Sequence, residues 1–167
     1  SEVVDAAVSS LQHQIDEAGA TVVVEHPLAS VVSDRLALDQ IIGNIVDNAA
    51  LVFNRSNALT FAGVVSGSGT LAKSGAGTLT LTGDSTYTGL TTIAAGTLQL
   101  GSGGTSGSIA GDVLNNGTLS FNRSNTLTFG GVVSGSGALT QAGSGTLILT
   151  GTNTYSGGTT IAAGTLQ

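Results

Sequence analysis

The segment FNRSNALTF at residues 53–61 returns as FNRSNTLTF at 121–129, an offset of 68 residues. The same offset carries TIAAGTLQ at 92–99 onto an identical TIAAGTLQ at 160–167. Over the 47 residues that begin at Phe53, the two copies are identical at 35 positions. Self-similarity at a fixed period indicates a repeat architecture, in which each unit buries its apolar face only against its neighbours.

A shorter period runs inside each long repeat. Leu59, Leu79, Leu98 and Leu119 are 20, 19 and 21 residues apart, each in a short segment where threonine alternates with an apolar residue. Alternation with a period of two is the signature of a β-strand. The segments SGSG, SGAG and NNG that lie between have the composition of turns, because glycine and asparagine accept positive φ. The pattern predicts one short strand in each coil of about twenty residues.

Such strands bury their apolar side only by stacking at the usual strand spacing of roughly 4.8 Å. We therefore predict a mainly β fold over residues 51–167, a parallel β-helix with leucines facing inward and threonines outward. An antiparallel sandwich or meander is the alternative. The nearly constant coil length and the many small residues favour the solenoid, whose cross-section is narrow.

Composition divides the chain near Ala50. Residues 1–50 carry eight acidic residues and one arginine, whereas residues 51–167 carry two aspartates and three basic residues. Of the 26 glycines, 24 follow residue 50, and both histidines and the single proline precede it. We interpret the chain as two unrelated sequences, a domain at 1–50 and a domain at 51–167, joined by fusion, misassembly or design.

The repeats carry a specific resemblance. SGSGTLAKSGAGTLTLTGDSTYTGLTTIAAGTLQLG, from residue 66, and its copy resemble the passenger-associated strand repeat of bacterial autotransporters. The resemblance covers about 51–167. It implies a secreted β-helix that is displayed at the outer membrane and serves as a scaffold.

The first fifty residues read as helix, strand and helix, at 3–18, 20–27 and 33–50. This predicts a short α/β segment ahead of the solenoid. DRLALDQIIGNIVDNA, from residue 34, resembles the asparagine box of sensor histidine kinases, which implies that Asn44 and Asn48 face Mg²⁺ and nucleotide phosphates. Leu51 stands where that family usually has lysine, and the rest of the nucleotide pocket is missing. The predicted nucleotide and magnesium site at these asparagines is therefore vestigial.

Several chemistries are excluded by residue type. The chain has no cysteine, the solenoid has no histidine, and the sole lysine lacks the glycine that a phosphate-binding loop places before it. Two aspartates are too few for a calcium-binding solenoid, and no basic patch suits nucleic acid. No apolar run approaches the roughly 18 to 20 residues of a membrane-spanning helix. We predict no enzyme activity, no cofactor, no metal site, no nucleic-acid partner and no membrane span.

Some side chains leave a role open. Tyr87 and Tyr155 occupy copied positions, where they cap a coil edge or offer a stacking surface to glycans. Arg55 and Arg123 are also copies, and we expect them to bond turn carbonyls rather than an anionic partner. Contacts with host-surface molecules or glycans, and edge-to-edge self-association of the open coils, are the partner classes that remain.

The leading hypothesis is a non-catalytic scaffold, a fragment of a secreted autotransporter passenger at the bacterial cell surface, that supports adhesion. The rival hypothesis is an ATP-binding signalling protein, a cytoplasmic histidine-kinase fragment with a non-native repeat tail. A third is that the chain forms no stable unit, because terminal coils of a solenoid normally need caps. The first helix, at 3–18, is a candidate cap for the first coil.

Overall fold

The computed structural model of the chain describes residues 21–25, 28–32 and 50–167. These form sixteen strands in three sheets, which are the three faces of a solenoid. The first face has seven strands, β1 (Thr21–Glu25), β2 (Leu28–Val32), β3 (Ala50–Phe53), β5 (Thr70–Lys73), β7 (Thr91–Ile93), β9 (Val113–Asn115) and β12 (Val133–Ser134). The second face has six, β4 (Leu59–Phe61), β6 (Thr78–Leu81), β8 (Thr97–Leu100), β10 (Thr118–Phe121), β13 (Ala138–Gln141) and β15 (Thr159–Ile161). The third face has three, β11 (Leu127–Phe129), β14 (Thr146–Leu149) and β16 (Thr165–Leu166).

From β3 onward every pairing between these strands is parallel, and each joins a strand to its counterpart one coil later. On the second face Leu59 pairs with Leu79, Leu79 with Leu98, and Leu98 with Leu119. The predicted parallel β-helix is confirmed for residues 51–167. The antiparallel alternative is wrong there, because coils stack strand upon strand instead of folding into hairpins.

The interior is a filled ladder. From β6 to β13 the leucines of the second face are at most 1% exposed, Leu59 of β4 is partly buried, and apolar side chains from the other faces pack against them in one cluster. Two aromatic pairs help to fill it, with ring centroids 5.9 Å apart for Phe53 and Phe61 and 5.7 Å apart for Phe121 and Phe129. Thr91 departs from the prediction that threonines face outward, since it is fully buried in the inward ladder of the first face. Its hydroxyl is satisfied by a bond to Tyr87.

Close stacking of turns explains two glycines at copied positions. Gly96 and Gly164 have φ of 68° and 67°, a conformation that residues with a side chain rarely adopt. A Cβ atom at Gly164 would also lie 2.1 Å from the carbonyl oxygen of Gly145 in the preceding coil. The turns therefore require glycine both for backbone conformation and for the approach of neighbouring coils.

The long repeat does not match a whole number of coils. Each strand of the first copy has its equivalent one face further round in the second copy. Strand β3 of the first face corresponds to β10 of the second, and β4 of the second corresponds to β11 of the third. The offset of 68 residues is thus three coils plus one face, and copied residues lie on different sides of the solenoid.

The described residues cover only part of the predicted helix-strand-helix order of the first fifty residues. Strand β1 lies within the predicted strand, whereas β2 was not predicted, because LASVV lacks the alternation of a half-buried strand. Strands β1 and β2 pair antiparallel over five residues, and β2 pairs parallel with β3. The described residues contain no helix. Apart from Ala50, which begins β3, both predicted helices lie outside the described residues, so their existence stays a prediction.

Candidate functional site: the clasped loop

One coil carries a protruding loop. Register partners Thr91 and Val113 are 22 residues apart, whereas Leu71 and Thr91 are 20 apart, as are Val113 and Val133. The extra length lies in the turn at 101–107, GSGGTSG, between the second and third faces. Its five central residues are all exposed. In a solenoid, an insertion of this kind is where a side chain or peptide group can reach a partner.

The loop is fastened to the following coil by its backbone. Gly103 N donates to Asn122 O at 2.8 Å, and Ser124 N donates to Gly104 O at 2.9 Å. The Ser124 hydroxyl adds a second bond to the Gly104 carbonyl, at 3.2 Å. Since three bonds join two adjacent turns, the loop is held against the solenoid instead of swinging free.

Arg123 fastens the loop from beneath. Its Nη1 donates to the carbonyl oxygen of Gly107 at 3.1 Å, and its Nη2 donates to that of Thr105. Its Nε donates to Asn125 Oδ1 at 3.0 Å, which keeps the guanidinium plane in place. A guanidinium suits this task because it offers five donors in one rigid plane. The expectation that Arg123 bonds turn carbonyls is confirmed.

Asp84 completes the arrangement, which we call the clasp, formed by Asp84, Arg123 and the loop 101–107. Its Oδ1 accepts from Gly107 N at 3.0 Å, from the Ser108 hydroxyl at 2.9 Å and from Arg123 Nη1 at 3.2 Å. The Asp84 side chain is 57% exposed and that of Arg123 is 9% exposed. Among ion pairs whose two residues are both described, this is the only salt bridge.

The two charged side chains of the clasp contribute unequally to its stability. Because the Asp84 carboxylate is mostly in water, the ion pair itself contributes only about 0–1 kcal/mol. The Arg123 guanidinium is nearly buried, and the carbonyl bonds are what compensate its lost hydration. Removing the carboxylate is therefore mild, whereas removing the guanidinium takes the donor from the Gly107 carbonyl and one of the two donors from the Thr105 carbonyl.

The copied position behaves differently. Arg55 Nε donates to Asn57 Oδ1 at 3.0 Å, the same local bond that Arg123 makes to Asn125. Position 152, the copy of Asp84, is threonine. The clasp is therefore formed once in the described solenoid and is not repeated with the sequence.

The other predicted residues are placed as follows. Asn44 and Asn48 lie outside the described residues, so the vestigial nucleotide site stays a prediction. Tyr87 is completely buried, with its hydroxyl 2.5 Å from Thr91 Oγ1. Its suggested role as a glycan-stacking surface is therefore wrong, whereas its role as a cap at a coil edge stays a prediction. Tyr155 is half-buried against the same core.

The described residues contain no cluster of metal-ligating side chains. They include no group of three histidine, cysteine, aspartate or glutamate residues able to hold a metal. Each buried side-chain nitrogen or oxygen among residues 50–167 has a hydrogen-bond partner, so none is held in reserve for a ligand. The arrangement can present exposed peptide groups and hydroxyls on a fixed loop, which is the chemistry of a contact surface.

Sequence reasoning missed the clasp. Asp84 and Arg123 are 39 residues apart, two coils in the structure, and only exact coil register brings them together. The available signal was the lengthened coil itself, since GSGGTSG adds residues where neighbouring turns are shorter. A second signal was the aspartate that the other copy of the repeat lacks.

Two segments match the passenger-associated-transport-repeat family. They are residues 71–100, which follow the first FNRSN turn, and residues 139–167, which follow the second. An adhesin autotransporter, BmaC of Brucella suis biovar 1 (strain 1330), is 49% identical over 58 residues. That match covers 35% of this chain, and the chain spans about 2% of the adhesin.

No solved structure matches the chain. The repeat-bearing part of the chain is similar in sequence to an autotransporter passenger, as predicted, and its described residues form a parallel β-solenoid. The family matches lie wholly within the solenoid, so they give the histidine-kinase resemblance of residues 1–50 no support. Across residues 21–25, 28–32 and 50–167, no helix has the length and apolar character needed to cross a membrane.

Proposed function

We propose that the chain is a non-catalytic scaffold segment of a passenger protein at the bacterial cell surface, and that the clasped loop contacts the adhesion partner. The observation that carries this proposal is the filled interior. On the second face, Leu79, Leu98, Leu119 and Leu139 stack at 0–1% exposure. A solenoid packed in this way has no interior space for a substrate, so its recognition chemistry lies on its surface.

The location rests on the relatives. Segments that match the passenger-associated-transport-repeat, together with a similar stretch in an adhesin autotransporter, support an extracellular or cell-surface site. Absence of cysteine from the chain is compatible with export. Adhesion is part of the proposal because the similar stretch belongs to an adhesin, of which the chain spans about 2%.

The loop is favoured as the contact because it combines exposure with order. A partner that binds a mobile loop must offset the entropy lost when that loop becomes fixed, whereas the clasp has already fixed this one. Its exposed part offers backbone carbonyls and the hydroxyls of Ser102, Thr105 and Ser106. Neutral donors and acceptors of this kind suit polar surfaces such as glycans, which bind largely through hydroxyl hydrogen bonds.

Adhesion is tested with purified chain on host epithelial cells and on arrays of host glycans. We expect saturable binding, and a several-fold loss when Thr105 and Ser106 are changed to alanine. Those side chains are exposed and the clasp uses only the Thr105 carbonyl, so the fold is retained. The matched control is Ser144→Ala, an exposed turn residue in another coil. If the Thr105 and Ser106 double variant binds as well as Ser144→Ala, the loop is not the contact. If neither the parent nor either variant binds, the adhesion part of the proposal is wrong.

The clasp is tested separately by hydrogen exchange. Arg123→Gln deletes the donors to Gly107 and Thr105, so we expect the amides of residues 103–108 to exchange at least about tenfold faster. Arg55→Gln is the control at the copied position, away from the loop. Unchanged exchange in Arg123→Gln would show that the backbone bonds to Asn122 and Ser124 hold the loop without the guanidinium.

The alternative proposal is an ATP-binding signalling protein defined by its first fifty residues. It is supported by the spacing of Asn44 and Asn48, which places both amides on one face if the segment is helical. Titration of the full chain with Mg²⁺ and ATP distinguishes this alternative from the scaffold proposal. Saturable binding that is lost in Asn44→Ala supports the alternative, whereas no heat or fluorescence change up to millimolar nucleotide supports the scaffold.

A further inference from the structure

A two-residue corner joins β9 to β10 and carries a reactive pair of residues. Asn116 and Gly117 form this corner, and Asn116 is exposed. No other asparagine of the chain is followed by glycine. Because glycine has no Cβ atom, its amide nitrogen approaches a preceding asparagine side chain with the least hindrance. The corner therefore contains the groups for an intramolecular reaction.

The reaction is deamidation through a cyclic imide. The Gly117 nitrogen loses its proton and forms a bond to Cγ of Asn116, while the bond from Cγ to Nδ2 breaks and that nitrogen leaves as ammonia. Water then adds to one of the imide carbonyls and opens the ring. Opening on one side gives aspartate, and opening on the other gives isoaspartate, in which the main chain runs through the former side chain. Water consumed and ammonia released balance the reaction.

Both reacting groups are held in place by hydrogen bonds that depend on the next coil. Gly117 N donates to Asn115 Oδ1 at 3.1 Å, and the fully buried Asn115 donates from Nδ2 to Ala138 O at 2.8 Å. The Asn116 Oδ1 accepts from Ser136 N and from the Ser136 hydroxyl, at 3.2 Å each. The amide proton that must leave is thus hydrogen-bonded, and the side chain is not free to turn its Cγ toward the Gly117 nitrogen.

Coil stacking explains why glycine stands at this reactive position. A Cβ atom at residue 117 would lie 2.5 Å from the carbonyl oxygen of Gly96 in the preceding coil. On the same side Thr118 N donates to Gly96 O at 2.9 Å, and Asn116 N donates to Ile93 O at 2.8 Å. The corner is therefore fastened to the coil before it as well as to the coil after it. Any side chain at residue 117 would disturb this approach, so the fold retains a pair that is chemically labile.

We propose that Asn116 is a site of spontaneous deamidation, and that packing of the coil that begins at Val133 keeps this site closed. Opening of that coil releases the Gly117 amide and the Asn116 side chain together, and the reaction then proceeds. Both products add a negative charge at the corner. The aspartate product still accepts from Ser136, whereas isoaspartate lengthens the main chain by one methylene between β9 and β10. This proposal goes beyond the scaffold function and does not depend on it.

The added methylene matters because the register is fixed on either side of the corner. Val113 pairs with Val133 in the next coil, and Thr118 pairs with Ala138, each pair 20 residues apart. The stacked corners therefore have the same length. A corner lengthened in one coil no longer matches the one above it, so we expect isoaspartate to break the bonds from Ser136 and to favour the open coil. The modification is then an irreversible record that this coil has opened.

The first test compares the full chain in neutral buffer and in guanidinium chloride, with deamidation of each asparagine followed by mass spectrometry of its peptides. We expect Asn116 to deamidate at least about tenfold more slowly in buffer, where the coil is closed. Asn57 is the internal control, because it is exposed and is followed by alanine, and it should react far more slowly than Asn116 in guanidinium chloride. Equal rates at Asn116 in the two solvents, or no reaction there in guanidinium chloride, overturns the proposal.

The second test loosens the contact with the next coil without unfolding the chain. Ser136→Ala removes the exposed hydroxyl that donates to Asn116 Oδ1 and keeps the backbone amide of residue 136. Loss of one hydrogen bond should speed deamidation in buffer by about two- to tenfold and leave the rate in guanidinium chloride unchanged. The matched control is Ser144→Ala, at an exposed position of a different turn, which should react as the parent does. If Ser136→Ala deamidates in buffer no faster than Ser144→Ala, packing against Ser136 does not close the site and the proposal is wrong.

Discussion

The substitution Lys73→Gln tests how the interior of the solenoid holds a positive charge. The Lys73 side chain is 1% exposed and lies in the inward ladder of the first face, between Phe53 and Ile93. Its Nζ donates to the carbonyl oxygens of Gly75 and, at 3.1 Å, Ala95. Among the described residues it has no carboxylate partner.

The second repeat supplies the neutral counterpart. Gln141 occupies the copied position, is 2% exposed, and donates from Nε2 to the carbonyl oxygens of Gly143 and Gly145 at 3.0 Å each. An amide thus satisfies the equivalent turn without a charge. Burying an ammonium costs several kcal/mol, and each charge-assisted bond returns about 1.5–3 kcal/mol. We expect Lys73→Gln to raise the free energy of unfolding by about 1–2 kcal/mol at pH 7.

The pH dependence gives the sharper signature. Burial lowers the pKa of Lys73 from its ordinary value of 10.5. In the interval between the lowered pKa and 10.5, the unfolded chain binds this proton and the folded chain does not. The free energy of unfolding of the parent therefore rises with pH across that interval. Lys73→Gln lacks this rise, so its advantage shrinks as the pH approaches 10.5.

The assay is urea denaturation followed by circular dichroism at pH 7, 8.5 and 10. Lys73→Met is the control, because it removes the charge and also both donors to Gly75 and Ala95. It should be less stable than Lys73→Gln by about 1–3 kcal/mol. If Lys73→Gln is less stable than the parent at pH 7, by an amount that does not change with pH, the reasoning about the buried charge is wrong.

Two further substitutions probe coil stacking and the buried tyrosine. Gly143→Ala places a methyl group 2.1 Å from a carbonyl oxygen of the preceding coil, and should lower the free energy of unfolding by at least about 2 kcal/mol in urea denaturation. Gly104→Ala is the control, because nothing lies within 4 Å of the added methyl group, and it should change that free energy by less than about 0.5 kcal/mol. Equal effects of the two substitutions would contradict the stacking geometry. Burial raises the pKa of Tyr87 to about 12, so the unfolded chain ionises first and stability should fall between pH 10 and 12. Thr91→Val removes the hydrogen bond that opposes this rise, so the Tyr87 pKa, followed by ultraviolet absorbance, should increase further, with a loss of about 1–2 kcal/mol in thermal unfolding. Thr159→Val at the exposed copy should do neither, and matching losses in the two variants would refute the role of burial.

The coil was predictable because its signal is local and repeated. Leucines near every twentieth residue fix both the coil length and the inward side, and the observed pairing of Leu79 with Leu98 and of Leu98 with Leu119 is the predicted stack. The number of faces was harder to predict. The strands are only two to five residues long, and turns of unequal length separate them. The alternation of inward and outward residues is therefore interrupted several times in each coil, and the number of strands per coil cannot be read from it.

The site was less predictable because it depends on contacts between distant coils. Arg123 was correctly expected to bond turn carbonyls, since arginine in a glycine-rich turn finds mostly carbonyl acceptors. Which carbonyls it bonds depends on the two extra residues of the coil between β7 and β9, which push the loop 101–107 outward above it. Tyr87 was misjudged because an aromatic residue between glycines and threonines reads as exposed, whereas here the turn points it into the core.

The offset of one face between the two copies has a consequence for recognition. Residues that are equivalent in sequence do not line up along the solenoid, because each copied strand lies on the face after that of its original. Two copies of a feature such as the FNRSN turn therefore lie on different faces of the solenoid. A partner bound to one copy would find the second copy rotated about the solenoid axis by one face, and not stacked in line with the first. The packing differs as well, so that Arg55 is half-exposed while Arg123 is buried beneath the loop. Duplication of the repeat therefore extends the scaffold without duplicating a binding surface, and the clasped loop, formed once over residues 50–167, is where a specific contact can arise.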